Sequence, residues 1–137
     1  MRLHEYHARS LEATLSRADE AIHRMQDLLI NSGQDGVVFK IENTLSLKSR
    51  DALLSQLHAL QATLGLMAKS FSLNPHPLDI RRVLDAEIST LWVLFENCRP
   101  ARLKGYGKEF APDARTTLEE TVESLVGQVL TMRAQLD

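Results

Sequence analysis

The chain has 137 residues, 44% of them hydrophobic and 25% charged, which is the composition of one globular domain and not of a disordered chain. A net charge of -2 excludes a global electrostatic attraction to nucleic acid or to an anionic membrane. The one cysteine, Cys98, excludes an internal disulfide and is typical of a reducing compartment.

The first residues predict a protein that is neither exported nor inserted in a membrane. The stretch MRLHEYHARSLEATL carries charge and histidine throughout and lacks the apolar core of a signal peptide. No apolar run approaches the roughly 18 residues that a membrane span needs. We therefore expect a cytoplasmic protein that makes no contact with a membrane.

Helical periodicity is the strongest signal along the chain. Four segments carry apolar residues at alternating steps of three and four, a spacing that places side chains on one face of a helix. These stripes are Leu11, Leu15, Ala18, Ile22, Met25 and Leu29; Leu53, Leu57, Leu60, Leu64, Met67 and Phe71; Ile80, Leu84, Ile88, Leu91, Phe95 and Cys98; and Leu118, Val122, Leu125, Val129, Met132 and Leu136. They predict helices over roughly 3–32, 47–73, 79–99 and 113–136, arranged as a single all-α domain, an antiparallel up-down four-helix bundle over 1–137.

Helix ends carry their own signals. Ser46 or Ser49 is a candidate N-cap for the second helix, and the third helix is expected to open near Asp79. The fourth helix has two candidate capping boxes, Thr116 with Glu119 and Thr117 with Glu120. The third helix has the widest apolar face and is expected to be the most buried.

The connection between the first two helices, from Gly33 to Leu45, is long for a bundle loop. Val37, Phe39 and Ile41 alternate with Val38, Lys40 and Glu42, which is a weak strand pattern. Val37, Ile41 and Leu45 equally suit one face of a short helix. The segment either covers one end of the core or forms an interaction surface through Val37, Phe39 and Ile41.

The densest basic cluster follows the third helix. Cations beside glycine backbone are suited to a phosphate or another anion, and a tyrosine there is able to stack on a base. Basic residues after a helix C-terminus also simply complement the negative end of the helix dipole. The candidate anion-binding residues are Arg99, Arg102, Lys104, Tyr106 and Lys108.

The sequence from Arg102 to Gly105 resembles the LKG signature of histidine-containing phosphotransfer domains, which are four-helix bundles. In that family the phosphorylated histidine lies two residues before the leucine, and Ala101 stands at that position here. Phosphotransfer through this segment is therefore not expected.

Two spacings are similar to the Arg-x(4–6)-His pattern of the HEPN ribonucleases, which are also helical bundles. They are Arg2-x4-His7 and Arg17-x5-His23, both in the first predicted helix. The resemblance implies an arginine that holds the scissile phosphate and a histidine that does acid–base work. The pair usually lies late in that family's domain, so the early position counts against a ribonuclease.

No metal or cofactor is expected. Glu20 and His23 have the Glu-x-x-His spacing of di-iron bundles, but the apolar stripe directs both outward and no second pair exists. His4 and His7 lie one turn apart and are suited at most to a shared surface ion.

The sequence favours a non-enzymatic helical bundle that acts by contact with a partner protein or with itself, as a homodimer. Apolar residues outside the four stripes support this reading, with Trp92 as the candidate anchor. These residues are Leu28, Ile30, Leu54, Leu66, Trp92, Leu94, Val126 and Leu130. The alternatives are anion or nucleic-acid binding through 99–108 and a HEPN-like ribonuclease.

Overall fold

The computed structural model describes residues 2–31, 34–103 and 110–137. Within these residues the chain forms four α-helices and no strand: α1 (Glu5–Ile30), α2 (Leu47–Ser70), α3 (Ile80–Glu96) and α4 (Pro112–Ala134). A single 3₁₀ turn, Pro100–Arg102, follows α3. The predicted all-α class and the four helices are confirmed.

The chain divides into two compact units, Met1–Pro77 and Leu78–Asp137, and each is a helical hairpin. In the first unit α1 packs on α2, and in the second α3 packs on α4. The prediction that all four helices form one up-down bundle over 1–137 stays a prediction.

Hydrogen bonds across the first hairpin fix its direction. The Asn74 backbone N–H donates to Glu12, Gln26 pairs with Gln61, and Arg50 donates to the carbonyl of Leu29. Partners late in α1 thus meet residues early in α2, so the two helices run antiparallel. The Arg50 bond also satisfies a carbonyl in the last turn of α1, which has no partner within the helix.

The predicted Ser46 cap of α2 is present, and Asp79, near which α3 was expected to begin, is the N-cap of α3. The Ser46 hydroxyl oxygen accepts the Ser49 backbone N–H at 3.1 Å, and an Asp79 carboxylate oxygen accepts the Arg81 backbone N–H at 3.0 Å. Each bond satisfies one of the first amides of its helix, which have no partner in the preceding turn. These caps explain why α2 and α3 begin where they do.

The capping boxes predicted for α4 are wrong, because the helix begins earlier. Pro112 occupies its first turn, where the missing N–H of proline costs nothing and its fixed φ suits a helix. Ala111 takes the N-cap position without a side-chain bond. Thr116 is therefore already inside the helix, where its hydroxyl donates to the Pro112 carbonyl at 3.1 Å.

The α2 helix is followed by a residue in the left-handed backbone conformation. Ser72 has φ of 53°, the Ser72 N–H donates to Lys69, and the Leu73 N–H donates to the Ala68 carbonyl at 2.8 Å. This is a Schellman ending, in which the left-handed position usually belongs to glycine because a Cβ is disfavoured there. A serine in that place carries backbone strain.

Each hairpin has a narrow core. The buried apolar side chains are Ile22, Leu57, Ile88, Val122, Val126 and Val129. The expectation that α3 is the most buried helix is wrong, since α4 contributes three of these and α3 only Ile88. Each hairpin buries only the surface along which its two helices meet. Part of each predicted apolar stripe lies in that contact, and the other residues of the stripe stay outside it.

Candidate interaction surface

One row of α3 faces α4. It consists of Asp85, Ile88, Trp92 and Phe95 and continues beyond the end of the helix to Arg99, at steps of three and four residues. Ile88 is buried in it, whereas the predicted anchor Trp92 retains 40% of its exposure. The two polar ends of the row are both ion-paired to α4 across the seam.

These ion pairs lie on one side of the hairpin, which we call the ion-paired side. Arg99 binds Glu96 through two bonds of 2.8 Å and Glu123 at 2.6 Å. At the other end Arg133 lies 3.8 Å from Asp85 and donates to its neighbour Ser89 at 2.8 Å. The hydrogen bonds that Arg99 donates lower the pKa of the Glu96 carboxyl, and the same bonds to Glu96 and Glu123 raise the pKa of Arg99.

The opposite side of the same hairpin carries exposed apolar side chains. A second row on α3 repeats the three- and four-residue steps and includes the charged Glu87 between Leu84 and Leu91, and α4 contributes residues at steps of seven, rotated in the same sense from its buried valines. In an antiparallel pair, rows rotated in the same sense lie on the same side. This surface, the apolar side of the α3–α4 hairpin, consists of Ile80, Leu84, Leu91, Leu94, Leu118, Leu125 and Met132.

The exposure of this side is substantial. Ile80 is 72% exposed, Leu94 54%, Met132 46% and Leu84 45%, while Leu91, Leu118 and Leu125 are half-buried. Single exposed leucines are ordinary on a protein surface, whereas several on one side of a hairpin form an apolar patch. The arrangement is therefore suited to binding another apolar surface.

The first hairpin has a polar pair in its seam, which the sequence analysis missed. Gln26 is 8% exposed, and its amide N–H donates to the Gln61 side-chain oxygen at 3.0 Å. The spacing of the two glutamines could have revealed the pair. Gln26 lies between Ile22 and Leu29 at steps of four and three residues, and Gln61 lies between Leu57 and Leu64 at the same steps. Met25, which the predicted stripe placed in the core, is 45% exposed instead.

A groove of about 400 Å³ runs beside this seam. Its apolar floor includes Leu15 and Leu64, and Asp19 and His23 stand at its rim with their side chains 3.7 Å apart. A Cβ at Gly65 would meet nothing within 4 Å. The groove is open, and the side chains of His23 and Asp19 are 65% and 54% exposed.

The segment 34–46 forms neither the predicted strand nor the short helix. Val37 and Phe39 are exposed, whereas Ile41 is half-buried beside a cavity of about 150 Å³ that Leu28 and Arg50 also line. The Ile41 backbone N–H donates to Asp35 at 3.0 Å. Of the predicted interaction residues here, Val37 and Phe39 are therefore free to contact a partner, and Ile41 packs in part against its own chain.

The predicted anion cluster is described only in part. Lys104, Tyr106 and Lys108 lie outside the described residues, so the structure places only Arg99 and Arg102. Arg99 is occupied by two carboxylates, as above. Arg102 is exposed and lies close enough to Glu96 to act on its pKa by charge.

The predicted ribonuclease pair lies near the start of α1. Arg2 lines a surface cavity of about 600 Å³ with Glu5 and Arg9, and His7 is not among the residues that line it. The His7 ring packs edge-on against His4 and Tyr6, and His4 caps the helix by accepting the Tyr6 N–H at 3.2 Å. His4 thus serves as the N-cap of α1, and the cavity that Arg2 lines does not include His7 among its lining residues.

The described part of the chain holds neither a metal-ligand cluster nor a membrane-spanning helix. Within residues 2–31, 34–103 and 110–137, no group of three or more His, Cys, Asp or Glu side chains is placed to hold a metal ion. In the same residues no helix is both long and apolar enough to cross a bilayer. Comparison with known proteins found no matching family model, no similar curated protein and no similar solved structure.

Proposed function

We propose that this protein is a non-enzymatic helical interaction module that acts through protein–protein contact. The observation that supports it is the two-sided character of the α3–α4 hairpin. Arg99 and Arg133 join the helices by ion pairs on one side, and a row of leucine, isoleucine and methionine is exposed on the other.

Burial of the apolar side would contribute favourably to the free energy of binding. Complete burial of an aliphatic side chain contributes about 1.5–3 kcal/mol, and about half of that remains available in Ile80, Leu84, Leu94 and Met132. Each of the four therefore contributes about 1 kcal/mol when a partner covers it. A contact of this kind needs no catalytic group.

Native mass spectrometry of the purified protein at near-physiological salt tests this proposal. We expect an assembly, either of several copies or with a co-purifying protein, and no small-molecule adduct. A monomer that carries a phosphate-containing or nucleotide adduct would replace the proposal by the anion-binding alternative. A monomer without any adduct or bound protein would also contradict it.

The anion-binding alternative rests on the exposed guanidinium of Arg102. It predicts that labelled RNA binds with an affinity that falls steeply as salt rises, and that Arg102→Ala with Lys104→Ala abolishes this binding. Arg99 is expected to contribute little, since an anion would have to displace Glu96 and Glu123. Fluorescence anisotropy at low salt measures both expectations.

The ribonuclease alternative has a separate test. If His7 does acid–base work on RNA, His7→Ala removes the activity while the circular dichroism spectrum stays unchanged. An equal rate of RNA cleavage by both proteins would reject this alternative.

A further inference from the structure

The groove of about 400 Å³ on the α1–α2 hairpin, which we call the α1–α2 groove, has a lining suited to one class of ligand. We propose that it binds a small organic cation, a molecule with an apolar or aromatic body and one protonated amine. This site goes beyond the proposed function, which concerns the contact surface on α3 and α4. It is supported by the charges of the groove lining and by a glycine in the middle of α2.

The floor of the groove is apolar, and a fastened segment forms one of its walls. Leu15 on α1 and Leu64 on α2 contribute to the floor, and residues 73–76 contribute to the wall. The Asn74 backbone N–H donates to Glu12 at 2.9 Å and so ties this segment to α1. Small-molecule sites are typically concave and mostly apolar, with a few polar groups and volumes of about 300–1,000 Å³. The size and the lining of the groove therefore suit a compact ligand.

The charged groups of the lining favour a positive ligand. Glu12 and Asp19 line the groove from α1, and among the described residues that line it there is no lysine or arginine. His23 and His76 also line it, and an imidazole in its neutral form adds no charge. An organic cation thus meets complementary charge, whereas an anion would meet two like charges.

Both carboxylates have acceptor sites left for a ligand. One oxygen of Glu12 accepts the Asn74 N–H, and an Asp19 oxygen lies 3.7 Å from the His23 Nε2. The two oxygens of a carboxylate offer about four lone-pair sites, so one contact does not occupy them all. The Asp19 side chain is 54% exposed, and solvent screens an exposed charge. We therefore expect weak, rapidly exchanging binding that does not survive purification.

Gly65 is an independent sign that the groove is used. It lies inside the helix Leu47–Ser70, where glycine is the least favourable residue after proline. It lines the groove, and a Cβ there would meet nothing within 4 Å. No packing contact in the described residues therefore requires a glycine, whereas a larger side chain would take up space that a ligand needs.

Three probes of similar shape separate the effect of charge from that of apolar burial. Tryptamine carries an ammonium group, indole-3-acetamide is neutral and indole-3-acetate is anionic. Each is titrated into the ¹⁵N-labelled full chain at pH 7.5, where free imidazole is mostly neutral, and NMR follows the amide shifts. We expect tryptamine to shift the Gly65 amide with a Kd of about 1 mM, the affinity that ordinary ligand efficiency gives for about twelve non-hydrogen atoms. The amide should bind about fivefold more weakly, because it lacks the ion pair, and the acetate more weakly still.

Two variants with matched controls locate the site. Gly65→Leu fills the groove and should raise the Kd of tryptamine at least about tenfold, while Gly127→Leu, at a glycine with equally open surroundings in α4, should leave it unchanged. Asp19→Asn should weaken tryptamine about fivefold and leave indole-3-acetamide unaffected. Asp27→Asn makes the same change of charge at an exposed position of α1 outside the groove lining, and should alter neither affinity.

Several outcomes would overturn the inference. They are the absence of any shift at 10 mM tryptamine, shifts confined to residues outside the groove, and equal affinities of the three probes. Equal weakening by Asp19→Asn and Asp27→Asn would show that net charge alone attracts the amine, and would overturn it too. If Gly65→Leu loses its helical circular dichroism, the comparison of Asp19→Asn with Asp27→Asn decides, since both side chains are exposed. All of these results leave the proposed contact surface on α3 and α4 to its own test.

Discussion

The Gln26–Gln61 pair gives the sharpest test of the packing in the first hairpin. Gln26 is 8% exposed, Gln61 is half-exposed, and a 3.0 Å hydrogen bond joins the two amides. Replacing either glutamine by leucine removes the bond and leaves the other amide without its partner. The cost depends on whether that remaining amide can reach water.

The structure therefore predicts an asymmetry. Gln61→Leu leaves the buried Gln26 amide unpaired, and the free energy of unfolding should fall by about 1–3 kcal/mol. Gln26→Leu leaves Gln61, which water can solvate, so the loss should be below about 1 kcal/mol. The double variant removes both polar groups from the seam and should be close to the wild type or more stable, since two leucines then pack together.

Urea denaturation followed by circular dichroism measures these free energies. Gln56→Leu, an exposed position on the same helix, is the control and should change stability by less than about 0.5 kcal/mol. The coupling energy of the cycle should be at least about 1 kcal/mol. Additive single effects, or a larger loss for Gln26→Leu than for Gln61→Leu, would refute the packing of α1 on α2 described above.

Three further variants test other features. Ser72→Gly should raise the free energy of unfolding by about 0.5–1 kcal/mol in urea denaturation, because glycine takes the positive φ of 53° without a Cβ penalty; a loss of stability would contradict the left-handed ending of α2. Gly127→Ala should raise it by about 1 kcal/mol, since the added Cβ meets nothing within 4 Å in the middle of α4; a destabilised variant would mean that another surface packs there. Arg99 lowers the pKa of Glu96, so the contribution of this carboxylate to folding stability is complete above its ordinary pKa near 4.5 and is lost as the pH falls through the lowered pKa. Between pH 5 and 3, Glu96→Gln should therefore lose less stability than the wild type. Parallel pH profiles of the two proteins would argue against the Arg99 contact.

The sequence by itself determined the four helices. Steps of three and four between apolar residues occur in every helix, and a local period needs no knowledge of the partner. The helix starts at Ser46 and Asp79 could also be predicted from the sequence, because a capping side chain bonds to an amide only two or three residues away. The predicted start of α4 was wrong because Pro112 suits the first turn of a helix and lets α4 begin before the threonines.

The tertiary structure alone decided which side of each helix is covered. An apolar stripe spans a wide arc, and only the position of the paired helix shows that Ile88 is buried while Leu84 and Leu94 are exposed. The ion pair between Arg99 and Glu123 could not be predicted from the sequence either. The two residues lie 24 positions apart, and they meet only once α3 and α4 align. Periodicity is a property of neighbouring residues, whereas burial and pairing depend on side chains that the fold brings together from distant parts of the chain.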